Sequence, residues 1–135
     1  MSYLLDTNVL SEIRKGSRAN PNVRAWFDPV PTEELYISVL ALGEIRKGVE
    51  LLRHRDRAAA SSYERWLDSL KANFADRILP VTDIVTDHWG RLGAIRPLPV
   101  ADGLMAATAL VHSLTFVTRN AADVRDTGVS LLNPF

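Results

Sequence analysis

The sequence predicts one α/β domain, residues 1–135, built on a mainly parallel β-sheet with helices on both faces. Three observations predict it. Short apolar runs alternate with stretches of helical periodicity along the whole chain. No internal repeat, low-complexity tract or linker divides the 135 residues, a length that suits one domain. Hydrophobic residues make up 47% and charged residues 24%, a mixture that buries a substantial core without disulfides, and cysteine is absent.

Tyr3-Leu4-Leu5 is an apolar run ending in Asp6-Thr7-Asn8, a polar triplet suited to capping a helix; a buried strand and then a helix over about 8–14 are expected. Residues 16–20 read as a loop. Asn20-Pro21 places a cap residue before a proline at the first helical position and starts a short helix ending near Phe27. Asp28-Pro29-Val30-Pro31 is a turn. Leu35-Tyr36-Ile37-Ser38 is the second strand. It leads into a helix over about 39–53, where Leu42, Ile45, Val49 and Leu52 recur at spacings of three and four. A long amphipathic helix follows over about 57–74, with Tyr63, Trp66, Leu67 and Leu70 on its apolar side. Ile78-Leu79-Pro80-Val81 is a third strand, after which Thr82 or Asp83 caps a helix carrying Ile84, Val85, His88 and Leu92. Pro97 and Pro99 punctuate a loop, and an alanine-rich helix is expected over 102–111. Leu114-Thr115-Phe116-Val117-Thr118 is the clearest strand, with Arg119-Asn120 as its exit. A turn or short helix over 121–125 and a last strand, Val129-Ser130-Leu131-Leu132, complete the chain.

Composition excludes several functions. With no cysteine, and with His54, His88 and His112 scattered, neither thiolate nor histidine zinc sites are expected. The first residues have neither the basic nor the apolar segment of a signal peptide, and no apolar run approaches the ~20 residues needed to cross a bilayer, so the expected location is the cytoplasm, away from membranes. Lys+Arg and Asp+Glu both number 16, so bulk charge does not favour nucleic acid; any such site must be a local patch. Candidate cations are Arg14, Lys15 and Arg18, then Arg46, Lys47, Arg53, Arg55 and Arg57, whose ordinary role is a solvated helix face.

In open α/β sheets ligands bind beyond the carboxyl ends of the strands. Acids stand at or near those exits. Asp6 follows the first strand directly, Glu44 lies on the helix after Ser38, Asp102 falls in the first turn of the helix after Pro99, and Asp123 is one turn past Asn120. Each has an ordinary alternative: helix caps for Asp6 and Asp102, an ion pair with Lys47 for Glu44, an exposed turn for Asp123. Carboxylates converging on one rim repel one another unless a cation offsets them, and oxygen donors of this kind suit Mg²⁺ or Mn²⁺. The chemistry such a site supports is attack of water on a phosphoryl group.

At these residues the chain resembles a known family. Leu4-Leu5-Asp6-Thr7-Asn8-Val9-Leu10 looks like the opening motif of PIN domains, and residues 37–45, 98–109 and 114–123 are similar to their second, third and fourth acidic motifs. Four motifs in order cover essentially the whole chain. Among PIN domains it looks most like VapC toxins of type II toxin–antitoxin systems, in the FitB-like branch. The resemblance implies a metal-dependent endoribonuclease with Mg²⁺ as cofactor, Mn²⁺ substituting, and Asp6, Glu44 and Asp102 as metal-binding acids with Asp123 as the peripheral fourth. It implies that Thr118 and Asn120 orient water or phosphate, and that Thr7 or Asn8 holds Asp6. It also implies a homodimer, a VapB-type antitoxin partner in a hetero-oligomer, and an RNA substrate. Arg119, Arg46 and Lys47 are the expected RNA contacts, and Val9, Leu10, Ile13, Trp26 and Phe27 the candidates for a partner-helix groove if they are not simply core. Two positions depart from the pattern. Val124 replaces a common aromatic, and Asn120 stands where some members carry another acid, which leaves one or two metal ions open.

The rival from another class is a PIN-like module that binds RNA or protein without catalysis; all four acidic positions being filled ranks it below the enzyme. A receiver domain would want paired acids after the first strand and a lysine after the last, and no lysine follows Lys71. A haloacid-dehalogenase phosphatase would want an aspartate where Asn8 stands.

Overall fold

The computed structural model describes residues 1–135. Five strands run β1 (Tyr3–Leu5), β2 (Leu35–Ser38), β3 (Ile78–Leu79), β4 (Thr115–Val117) and β5 (Leu131–Leu132), interleaved with six helices. These are α1 (Thr7–Arg14), α2 (Pro21–Phe27), α3 (Val39–Arg53), α4 (Arg57–Asn73), α5 (Asp83–Ile95) and α6 (Val100–Val111). The sheet order is β3-β2-β1-β4-β5 and every pairing is parallel. All carboxyl ends therefore lie along one edge, with β1 and β4 adjacent at its centre, in register Leu5 to Val117.

The sheet contributes Leu4, Leu5, Ile37, Phe116 and Val117 to one core, onto which α1 sets Val9, α3 sets Ala41 and Ile45, α4 sets Leu67 and Leu70, and α6 sets Met105, Ala106 and Ala109. A smaller cluster of Val85, Leu92 and Ala107 joins α5 to α6. The two helices approach closely at Gly103, where a Cβ would lie 3.1 Å from the Trp89 indole. No single helix is long and apolar enough to cross a membrane.

Element types follow the sequence expectations, and boundaries differ for identifiable reasons. Helix α1 starts at Thr7 because Asp6 is its cap: Asp6 Oδ1 accepts the Thr7 N–H at 2.7 Å. Helix α6 starts at Val100, two residues before the expected Asp102, with Pro99 in the cap position and the Gly103 N–H donating to its carbonyl at 2.8 Å. Residues 16–18, read as part of a loop, make a single 3₁₀ turn, and so do residues 32–34 between the 28–31 turn and β2. The edge strands β3 and β5 shrink to two residues, since each has a neighbour on one side only.

Candidate active site

At the centre of the carboxyl edge, Asp6 leaves β1 beside Thr118 leaving β4. Asp6 is only 4% exposed, and both of its oxygens are held. Oδ1 takes the Thr7 N–H, while Oδ2 takes the Thr118 hydroxyl at 2.6 Å and the Asn8 amide at 3.3 Å. Burial raises its pKa most; the hydrogen bonds from Thr118 and Thr7 pull it back, and the Glu44 charge raises it. Two strands 112 residues apart in sequence thus fix one carboxylate, because parallel pairing brings Leu5 against Val117. The Thr118 oxygen also accepts the Asn120 N–H at 3.0 Å, and Asn8 Oδ1 accepts the Arg119 N–H at 3.4 Å, which ties the exit of β4 to α1.

Glu44 reaches the same place from α3, where its Oε1 accepts the Thr7 hydroxyl at 2.6 Å. The Glu44–Lys47 ion pair offered by spacing does not form, and Glu44 is exposed.

Asp102 is the most telling of the acids. The cap role is ruled out, because α6 has no side-chain cap, and the Asp102 carboxylate makes no hydrogen bond or ion pair. Its pKa is pushed up to about 6, first by burial and then by the charges of Asp6, Asp123 and Glu44. The four acids therefore share one field. Asp123 sits exposed on a 3₁₀ turn, Ala121–Asp123, at the edge of the group. As they stand, no three of the chain's acids and histidines close into a cage for an ion. An all-oxygen rim of this kind, with one fixed buried acid and one unpartnered acid, suits a hard ion that keeps its waters and takes only one or two carboxylates directly.

The expected RNA contacts fare unequally. The Arg119 guanidinium lies exposed next to the site, 4.4 Å above the Phe135 ring. Phe135 was not singled out from the sequence; its carbonyl is pinned by the Asn22 amide at 2.7 Å, a contact across 113 residues that leaves no local signal. Lys47 is exposed and without an ion pair. Arg46 is engaged within the protein: it bridges Glu50 at 3.1 Å and Glu64 on α4, where Arg53 also binds at 3.2 Å, so its charge joins α3 to α4. Of the proposed groove residues, Val9 and Leu10 are core, at 0% and 3% exposure. Trp26 packs edge-on against Tyr3. Ile13 and Phe27, with Leu10, line an open cavity of about 470 Å³ whose far wall is Trp66, Leu70 and Phe74 of α4 and its end.

Comparison with known proteins gives a consistent picture. The PIN domain model matches residues 3–128. The chain is 35% identical to Toxin FitB of Neisseria gonorrhoeae, over 98% of this chain and 97% of the relative. It is 31% identical to VapC ribonuclease Y4jK of Sinorhizobium fredii, over 98% and 96%. The crystal structure of FitAcB from Neisseria gonorrhoeae matches it with a TM-score of 0.86 at 35% identity, covering 98% of this chain and 97% of that one.

Proposed function

The chain belongs to the PIN-domain family, and on that premise we propose that it is the ribonuclease toxin of a VapBC-type toxin–antitoxin pair, hydrolysing RNA phosphodiester bonds in the cytoplasm with Mg²⁺. The observation that carries the reading is Asp102: a half-buried carboxylate with no hydrogen-bond partner, held in the field of three other acids, is a strained anion whose charge a cation would offset. Bound there, Mg²⁺, or Mn²⁺ in its place, supplies a Lewis acid that offsets phosphoryl charge and makes water a better nucleophile at neutral pH.

The chain's own residues do the rest. Asp6, fixed by Thr7, Asn8 and Thr118, is the rigid anchor. Glu44, held by Thr7, and Asp102 complete the ligand set, and Asp123 tunes its charge from the edge. The Asn120 side chain and the Thr118 hydroxyl orient water or phosphate. Arg119 and Lys47 receive neighbouring RNA phosphates. A homodimer is the working unit, and a VapB-type antitoxin silences it within a hetero-oligomer. Relatives named for toxin and ribonuclease activity support this reading.

Calorimetric titration with Mn²⁺, alongside cleavage of cellular RNA in Mg²⁺, tests it. Wild type should bind Mn²⁺ and cut RNA, and Asp102→Asn should do neither. A wild-type chain that binds Mn²⁺ without cutting any RNA would make it a binding module.

A further inference from the structure

Two helix faces that meet at the acid rim continue together away from it. On α1, Thr7, Ser11 and Arg14 are spaced four and three apart and share a face. On α3, Gly48 lies one turn beyond Glu44 on the same side. Thr7 and Glu44 join these faces at one end. At the other, Tyr63 of α4 fills the space: a Cβ on Gly48 would lie 3.0 Å from its ring, and the Arg14 guanidinium carbon lies 5.0 Å from its centroid. Beyond Thr7 the surface opens into a pocket of about 340 Å³ lined by Ser11, Arg14, Lys15, Arg18 and Tyr63, with no acid among them.

Two of the three charges in this pocket, those of Arg14 and Arg18, are unspent. Arg14 is oriented by apolar and neutral groups alone: it covers Tyr63 and Trp66, whose rings stack 5.3 Å apart, and donates to the Ser62 hydroxyl at 3.3 Å. None of the chain's ion pairs includes Arg14 or Arg18, whereas Arg24, Arg46, Arg53, Arg77 and Arg91 each hold a carboxylate. Lys15 is half committed, to Glu12 at 3.0 Å. In a chain of zero net charge, a pocket lined by three cations, two of them without an ion pair, and by no acid is a marked local asymmetry next to an acidic rim. A guanidinium stacked on aromatics keeps its outer N–H groups free for an anion.

We propose that this pocket is a phosphate-binding subsite for the RNA strand, displaced along α1 from the scissile position; it rests on the ribonuclease reading. Arg14 lies about 10 Å along the helix from Thr7, at about 1.5 Å per residue. That is roughly three phosphates of a stacked strand rising about 3.4 Å each. The acid rim with its metal takes the reacting phosphate, and the pocket takes one a few nucleotides away. It therefore selects for a strand long enough to span both, and against dinucleotides.

The test compares the full-length wild type with the double variant Lys15→Gln/Arg18→Ala, which leaves the Arg14 stack between α1 and α4 in place. Binding of a fluorescein-labelled single-stranded RNA, read by anisotropy with Mg²⁺ omitted, should weaken roughly tenfold, and the log–log salt slope should flatten by about 1.4, two contacts at about 0.7 each. In Mg²⁺, the kcat/KM ratio between long RNA and a dinucleotide should fall by a similar factor. Unchanged affinity, salt slope and length ratio overturn the subsite. So does a variant that binds RNA normally but no longer associates with its antitoxin, which makes the pocket a protein-docking site. Wild-type chain that binds RNA here but never cuts it defeats the ribonuclease reading and leaves the subsite standing.

Discussion

Asp6 and Asp102 carry the same charge in one small volume, yet their surroundings ask different things of them. Asp6 has hydrogen-bond donors on both oxygens, which offset part of the rise that burial imposes on its pKa. Asp102 has none, and burial plus three neighbouring acids lift its pKa from an ordinary 3.8 to about 6. The linkage sign follows. A carboxyl whose pKa is raised on folding holds its proton in the folded state where the unfolded chain has lost it, so its contribution is fully present below about pH 4 and is lost as pH rises through about 6. The unscreened value of that shift is about 3 kcal/mol; partial exposure of Asp102 reduces it to about 1–2 kcal/mol. Asp102→Asn should therefore stabilise the metal-free protein by about that amount at pH 7.5 and by little at pH 4. Differential scanning calorimetry in EDTA at the two pH values checks this; a difference that does not change with pH would refute it. Asp6→Asn is a separate prediction. Asparagine caps helices as well as aspartate does, so α1 and the fold survive. Mn²⁺ affinity should fall by more than the roughly 10–100-fold typical of losing a supporting partner, and RNA cleavage should fall to background. Asp123→Asn, at the edge of the field, should keep measurable activity in the same assay.

At the scale of elements, the precision of the site comes from where strands β1 and β4 end. Thr118 is fully buried, and its hydroxyl both donates to Asp6 and accepts from Asn120. Thr118→Val keeps the shape and removes the donor, leaving a buried carboxylate short of a hydrogen bond, at a cost of about 1.5–3 kcal/mol. Chemical denaturation at pH 7 should show this loss, and a smaller loss at pH 5, since Asp6 without Thr118 keeps its proton to higher pH. A stability equal to wild type would mean that Asp6 does not depend on β4. This pairing marks the limit of what was legible in the sequence. The strands β1, β2 and β4 are short apolar runs that stop at polar residues, and α1, α2 and α3 begin at side chains that cap them, so their positions follow from local chemistry. Asp6 was legible as a strand-exit residue, Glu44 and Asp123 as residues one or two turns past an exit, and Asp102 as a first-turn residue of α6. That Asp102 feels the charges of the other three comes from how α6, which follows α5 rather than a strand, packs in the fold. Partner choice was not legible. Glu44 binds Thr7, 37 residues away, in preference to the nearby Lys47, and Arg46 binds Glu64 across to α4. Helical spacing states which groups are within reach on one helix and nothing about a competitor brought in by tertiary packing.

Across the whole molecule, the acid rim and the apolar cavity of about 470 Å³ both border α1, the rim at its first residue and the cavity at Leu10, Ile13 and Arg14. Catalysis and control by a partner can then be separated by mutation while sharing one helix. The cavity is walled mainly by apolar side chains, and Ile13 and Phe27 remain partly exposed, the pattern of a groove that accepts the apolar face of a helix. An arginine following that helix along α1 would arrive at the carboxylates, where a bidentate pair competes with the metal. Three expression results are expected. The wild-type chain alone should arrest growth through RNA cleavage. Asp6→Asn should be tolerated. Phe27→Asp should still arrest growth but should no longer be relieved by the co-expressed antitoxin, because a carboxylate in the groove is left unpaired when an apolar helix covers it. Growth curves with purified-complex stoichiometry read all three. High soluble expression of the wild type without RNA cleavage would overturn the toxin reading while leaving the fold intact, and full relief of Phe27→Asp by the antitoxin would move the partner's docking site elsewhere on the molecule.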